Sequence, residues 1–176
     1  MMASSNETIV LGGGCFWCTE ACMDLVDGVV SAIPGYAGGV TDKPTYQQVC
    51  GGKTGHAEVV SVEYDPSKVS LEDLLDIFFA SHDPTQLNRQ GPDVGTQYRS
   101  VILYTTEEQE EKVARYIEEL SKNYGPPIVT EVKPLEKFFE AEKYHQRYFE
   151  KNPGQGYCQV VISPKVKNVK SKLGVS

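Results

Sequence analysis

Three consecutive glycines, Gly12, Gly13 and Gly14, cut off the apolar run Ile9 to Leu11. Directly after them Phe16, Ala21, Leu25 and Val26 recur at helical spacing until Gly28 stops the pattern. A short strand must therefore end, turn on residues without side chains and enter a helix. Cys15 stands at that entry, where its sulfur would meet unpaired N–H groups and the positive end of the helix dipole. Such a position is expected to lower a thiol pKa from about 8.5 and to enrich the nucleophilic thiolate. The plainer reading of a cysteine in apolar company is a buried structural thiol.

The rest of the chain continues the alternation. Val29 to Ile33 reads as a second strand, and Pro34 to Gly55 as a long loop of the kind that carries function. Ala57 to Tyr64 is a valine-rich strand ending at Asp65-Pro66, after which Ser70 caps a helix burying Leu71, Leu74, Leu75, Phe78 and Phe79. A polar loop from His82 to Gln97 precedes a strand from Tyr98 to Tyr104. Thr106 and Gln109 form a capping box for a surface helix with Val113, Tyr116, Ile117 and Leu120 inward, closed near Gly125. Ile128 to Val132 reads as a strand, Glu140 to Glu150 as a last helix, and Asn152 to Gly156 as a flexible turn into Tyr157-Cys158. The order predicts an α+β fold, a two-layer sandwich of a mixed β-sheet with packed helices. With no repeat or linker, residues 1–176 are expected to form a single domain, with a core of about 9–160 and a basic tail at 161–176.

A hydrophobic fraction of 40% is enough for a core in a chain of this length, and a net charge of -7 gives phosphates no sequence-wide attraction. Nucleic acid and anionic membranes are therefore not expected as partners. Lys165, Lys167, Lys170 and Lys172 make the tail basic and read as a solvated, frayed end. Residues 1–8 carry no leader pattern, so a soluble cytoplasmic protein is expected. Five cysteines, with Cys15, Cys18 and Cys22 crowded together and Cys50 and Cys158 apart, suit working thiols in a reducing compartment better than a secreted framework.

Cys15 and Cys18 as a Cys-x-x-Cys pair raise a thiol-disulfide oxidoreductase as an alternative, though the long glycine loop suits a thioredoxin fold poorly. A zinc site would need four ligands, whereas the cysteines share one helical stretch and His56, His82 and His145 are scattered. No metal is expected.

Gly14-Cys15-Phe16-Trp17 followed by Glu20 resembles the active-site signature of the A-type peptide methionine sulfoxide reductases. So do Gly35-Tyr36-Ala37-Gly38-Gly39, the run from Pro44 to Cys50 leading to Gly55-His56-Ala57-Glu58, and Val62 to Pro66. The segments His82 to Gln86, Gly91 to Ser100, Ala141 to Gln146 and Lys151 to Cys158 are also similar, in the same order across about residues 9–160. The resemblance implies a ferredoxin-like βαββαβ core with extensions, and thiol-dependent reduction of the S epimer of methionine sulfoxide, free or in oxidised proteins, as repair.

The same resemblance assigns roles. Cys15 would be the nucleophile and Glu58 the acid, kept protonated by apolar surroundings. Tyr46 and Tyr98 would donate to the sulfoxide oxygen. Phe16 and Trp17 would hold the substrate methyl group, and Asp93 its polar atoms or an ordered water. The Cys15 sulfenic acid would condense with Cys158, swung in on Gly154 and Gly156, and thioredoxin or a small dithiol would reduce the disulfide, with no bound cofactor. A monomer is expected. The sequence departs from the commonest family pattern at position 18, usually glycine, and has no second cysteine after Cys158. Cys18, at i+3 from Cys15 and so within disulfide reach, is the alternative resolving thiol; Cys22 and Cys50 read as structural.

Overall fold

The computed structural model describes residues 5–174, and residues 1–4 of the polar start and residues 175–176 of the tail lie outside that range. Strands β1 (Glu7–Gly12), β2 (Val29–Ala37) and β3 (Ala57–Tyr64) form the middle of the main sheet. Helix α1 (Phe16–Met23) connects β1 to β2, and the short α2 (Tyr46–Cys50) lies between β2 and β3. After α3 (Leu71–Ala80) come the two-residue strands β4 (Arg89–Gln90) and β5 (Asp93–Val94), which pair only with each other. Then follow β6 (Val101–Tyr104), α4 (Glu107–Ser121), β7 (Glu131–Pro134), β8 (Phe138–Glu140), α5 (Tyr148–Lys151) and α6 (Ser163–Leu173).

The main sheet has the order β7-β6-β1-β3-β2-β8, antiparallel throughout except for the parallel pair β6–β7. It is a mixed sheet with helices packed on it, as an α+β chain requires. Alternation along the central strands divides two apolar layers. Ile9 and Leu11 of β1 and Val60, Val62 and Tyr64 of β3 face the helices, whereas Val10, Ala57 and Val59 face a smaller cluster covered by Leu135 and Phe138. Glu58 belongs by parity to the helix-facing row, so the sheet itself aims this carboxyl under α1.

Capping explains the sharpest boundaries. Ser70 accepts from the Asp73 N–H while the Asp73 carboxylate accepts from the Ser70 N–H, and Thr45 with Gln48 repeats the device for α2. Thr106 makes only half of its expected box, because the Gln109 side chain reaches back to the Thr105 N–H instead.

Several local expectations are corrected. The region from Pro34 to Gly55 is not all loop: β2 runs through Pro34 to Ala37, and α2 sits at the far end. Residues 96–98 form a 3₁₀ turn, so the following strand starts at Val101 and not at Tyr98, and α4 ends at Ser121, before Gly125. The seventh strand lies later than expected. The helix expected over Glu140 to Glu150 is broken. Glu140 ends β8, residues 143–145 form a 3₁₀ turn, and Arg147, at φ 55°, breaks the helical path before α5.

The basic tail is the largest correction. A π-helical turn, Cys158–Ile162, runs directly into α6, and Ile162, Val166 and Val169 are buried in the main core. Apolar residues at positions 162, 166, 169 and 173 make one face of a helix, and burial of that face outweighs the lysines beside it.

Gly39 shows how tightly the loops are tied to the sheet. A Cβ there would lie 2.2 Å from the His56 nitrogen and 2.5 Å from the Thr54 carbonyl oxygen, and the Gly39 N–H donates to His56 Nδ1 at 2.9 Å. Backbone cannot yield as a flexible side chain would, so G39A should cost about 3 kcal/mol and lower the melting temperature by roughly 5–10 °C. A thermal melt within a degree of wild type would show that this contact is not tight in solution.

Candidate active site

Cys15 is the N-cap of α1, at φ -64° and ψ 132°, with 8% of its surface exposed. The glycine turn before it is locked from two sides. A Cβ on Gly13 would strike the His82 ring at 2.8 Å, and the Gly14 N–H donates to the Tyr98 carbonyl at 3.2 Å. His82 is held in turn by the Phe78 carbonyl and the Ser100 hydroxyl, and burial depresses its pKa to about 4, so it serves as a neutral wedge. The nucleophile is thus fixed by packing.

Glu58 meets it from the sheet. The first N–H of α1, on Phe16, donates to Glu58 Oε1 at 3.2 Å, and the Cys15 thiol lies close enough to feel the charge of the same carboxyl. Glu58 Oε2 is buried without a partner. Burial, reinforced by the Asp93 charge, raises this carboxyl from 4.5 to about 8, while the Phe16 N–H and Cys15 oppose the rise. Glu58 is therefore mostly protonated at neutral pH, and Oε2 can carry the proton.

The thiol departs from expectation. Burial pushes Cys15 well above its ordinary value, the charges of Glu58, Cys18 and Asp93 push it further, and only the Trp17 N–H opposes them. The helix terminus does not produce a resting thiolate here, because burial and the neighbouring charges outweigh the Trp17 N–H. The resting pair is a neutral thiol against a neutral acid, with the Glu58 contribution vanishing once that carboxyl is protonated.

An aromatic box surrounds the pair. Phe16 stacks on Tyr46 with ring centroids 6.4 Å apart and leans on Tyr36 at 5.7 Å. Burial, with the Glu58 charge added to it, raises the Tyr46 and Tyr98 hydroxyls and keeps both phenols protonated donors. Trp17 stacks face to face on Tyr148, centroids 3.6 Å apart, and its indole N–H donates to His145 Nδ1 at 3.1 Å. Tyr157 donates to Asp93 at 2.5 Å, which fixes that carboxylate beside the nucleophile.

Cys15, Phe16, Trp17, Tyr46, Glu58, Asp93 and Tyr98 are thus brought together, as the sequence suggests. Cys158 is not. It is fully buried at the start of the π-helical turn, beside Cys18, and is not carried on a free glycine arm. Sequence reasoning missed Glu142, His145, Tyr148 and Tyr157. Glu142 accepts from the Tyr36 hydroxyl at 2.7 Å and the Tyr46 N–H at 3.0 Å, and so seats two walls of the box. The buried His145 leaves Nε2 unpartnered. The crowding of Glu142, Tyr144, His145 and Tyr148 within seven residues was the available signal.

Comparison with known proteins gives the same direction. Residues 7–175 match the family described as peptide methionine sulfoxide reductase. The peptide methionine sulfoxide reductase MsrA of Nautilia profundicola is 64% identical over 157 residues, covering 89% of this chain and 90% of that one. Among solved structures, reduced Mxr1 from Saccharomyces cerevisiae superposes with a TM-score of 0.83 at 40% identity, covering 88% of this chain and 90% of that one. Mxr1 in complex with Trx2 aligns with a TM-score of 0.60 at 28% identity, over 84% and 89% of the two chains.

Proposed function

The chain belongs to the peptide methionine sulfoxide reductase family, and from that premise we propose that it reduces the S epimer of methionine sulfoxide, free or in oxidised proteins, to methionine. The observation that carries this reading is the buried, unpartnered Glu58 Oε2 on a carboxyl that is tied to α1 by the Phe16 N–H and set beside Cys15.

The chemistry follows from that pair. A sulfoxide oxygen placed at Oε2 takes the Glu58 proton, assisted by the Tyr46 and Tyr98 hydroxyls, and its sulfur becomes electrophilic. The carboxylate so formed receives the Cys15 proton as the thiol attacks that sulfur. Oxygen then passes to Cys15: the substrate sulfur gains two electrons and leaves as methionine, and Cys15 loses two and becomes a sulfenic acid. Glu58 ends with the proton it began with. Asp93 holds the polar atoms of the substrate or an ordered water.

Selectivity comes from the fixed positions of the groups on the chiral sulfur. Phe16 and Trp17 take the methyl group, the hydroxyl donors and Glu58 take the oxygen, Cys15 faces the lone pair, and the peptide chain points outward. The mirror epimer would exchange methyl and oxygen, leaving buried donors against an apolar group.

A second thiol of the chain closes a disulfide with Cys15, and an external dithiol reopens it with no bound cofactor. Thioredoxin is that reductant by analogy with the Mxr1 complex with Trx2. Five free cysteines suit a reducing compartment, so we place the protein in the cytoplasm; we read it as a single domain and a monomer. Among the described residues no helix is long and apolar enough to cross a membrane. We read the order β6-β1-β3-β2, with α1 and α3 as the crossovers, as a ferredoxin-like core extended by β7 and β8.

The test is turnover of a racemic methionine sulfoxide derivative with dithiothreitol. Consumption should stop at half, leaving the R epimer; consumption of both epimers, or of the R epimer alone, would overturn the placement of methyl and oxygen.

A further inference from the structure

Helix α1 begins with two thiols in one turn. The Cys18 N–H donates to the Cys15 carbonyl at 3.0 Å, and residues three apart on a helix hold their Cβ atoms about 5–6 Å apart. Cys15 is the extended N-cap of that turn, and a disulfide, which needs Cβ atoms about 3.5–4.5 Å apart, closes across it when the first turn of α1 tightens around the pair. Cys18 is buried against the segment that precedes α6, close to the Tyr157 hydroxyl and to Cys158. The same hydroxyl donates to Asp93, so it ties the thiol pair to the site.

Cys158 is placed differently. The glycines before it do not leave it free: its N–H donates to the Gln155 side chain at 3.2 Å, and the Gln159 N–H donates to the Gln155 carbonyl at 3.0 Å, so the helical run is already closed around it. The Cys15 thiol feels the charge of Cys18, and it is Cys18 that feels the charge of Cys158.

We propose that Cys18, and not Cys158, closes the first disulfide with Cys15, and that Cys158 stands behind Cys18 to receive the disulfide in a second exchange. This rests on the sulfoxide reductase reading for the origin of the sulfenic acid. In the first step the Cys18 sulfur attacks the Cys15 sulfur: an S–S bond forms, the S–O bond breaks, and the hydroxyl leaves as water with the Cys18 proton. In the second, Cys158 attacks Cys18, the Cys15–Cys18 bond breaks, and the Cys158 proton passes to the released Cys15 thiolate. Burial raises the Cys18 thiol to about 11, against which Lys165 and the Tyr157 hydroxyl favour its thiolate.

Tryptic mapping followed by chymotryptic cleavage at Phe16 or Trp17, between the two thiols of α1, separates the pairings. Because Pro44 follows Lys43, Cys15, Cys18, Cys22 and Cys50 share one peptide ending at Lys53, while Cys158 lies in the peptide from Asn152 to Lys165. Reduced protein is mixed without reductant with one equivalent of methionine S-sulfoxide or, separately, of hydrogen peroxide, quenched at early times and alkylated. The earliest oxidised product should be an internal Cys15–Cys18 loop with Cys158 alkylated, and a Cys18–Cys158 cross-link should appear only later. C18S should still release methionine, while its Cys15 sulfenic acid stays trappable by dimedone at least tenfold longer. A Cys15–Cys158 cross-link as the first product, or equally fast disulfide formation in C18S, overturns the pairing even if methionine is released. A Cys15–Cys18 loop with peroxide but no methionine from the sulfoxide supports the pairing and overturns the reductase reading instead.

Discussion

C15S should abolish sulfoxide reduction, lowering turnover at least about 10⁴-fold, as loss of a nucleophile does elsewhere. The reason lies in the atom. Accepting the substrate oxygen on serine would require an O–O bond, so no slow version of the same reaction is open to a hydroxyl. The substitution is nearly isosteric and the site slightly exposed, so the melting temperature should stay within about 3 °C of wild type, roughly 1 kcal/mol. Steady-state assay with dithiothreitol, together with a thermal melt, checks both halves. Residual activity above a hundredth of wild type would remove Cys15 from the role given to it.

E58Q should be the second largest loss, about 10²–10³-fold in kcat, the scale of a missing general acid. Gln keeps the hydrogen bond from the Phe16 N–H but has no proton to give at Oε2. The pH profile carries the sign. In wild type the acid form persists below about 8, so activity should fall as pH rises through that value, and E58Q should lose this limb. The folded pKa lies above the ordinary 4.5, so the stability from Glu58 is fully present below about 4.5 and lost as pH climbs through about 8. A tenfold difference in proton affinity between folded and unfolded chain corresponds to about 1.4 kcal/mol. The wild-type melting temperature should therefore drop over that interval more than that of E58Q, although Glu20, raised by burial to about 7, adds a share of its own. The substitution also removes a charge that adds to burial in holding Cys15 protonated, so alkylation of Cys15 at alkaline pH should quicken. An E58Q enzyme with wild-type kcat and an unchanged alkaline limb would mean that the proton comes from elsewhere.

Much of this was legible in the sequence where one pattern ran long enough to dominate. The eight residues of β3 and the apolar face of α3 bury what their periodicities demand, and Ser70 marks a helix start by a purely local bond. The glycine turn into Cys15 was equally plain, because so few backbones accept three glycines before a helix. Short elements failed for the opposite reason: β7, β8 and the pair β4–β5 are held by neighbours distant in sequence, and Arg147 adopts φ 55° while its N–H donates to the buried Glu20 carboxylate at 2.8 Å. In the tail, four lysines hid an apolar stripe that only the adjoining α1 and α3 make meaningful. Within the site, the chemistry of Cys15 and Glu58 was readable through family resemblance, but the thiol's raised pKa was not. That depends on depth of burial and on the charges packed around the thiol, neither of which a linear sequence displays.

The most direct test mixes fully reduced protein with excess methionine S-sulfoxide in the absence of any reductant and counts methionine released per chain in the first turnover. The account predicts a first methionine per wild-type chain in that burst, a slower second one as the exchange to Cys158 frees the Cys15 thiol, and none from C15S. No burst from wild type, or an equal burst from C15S, would contradict it.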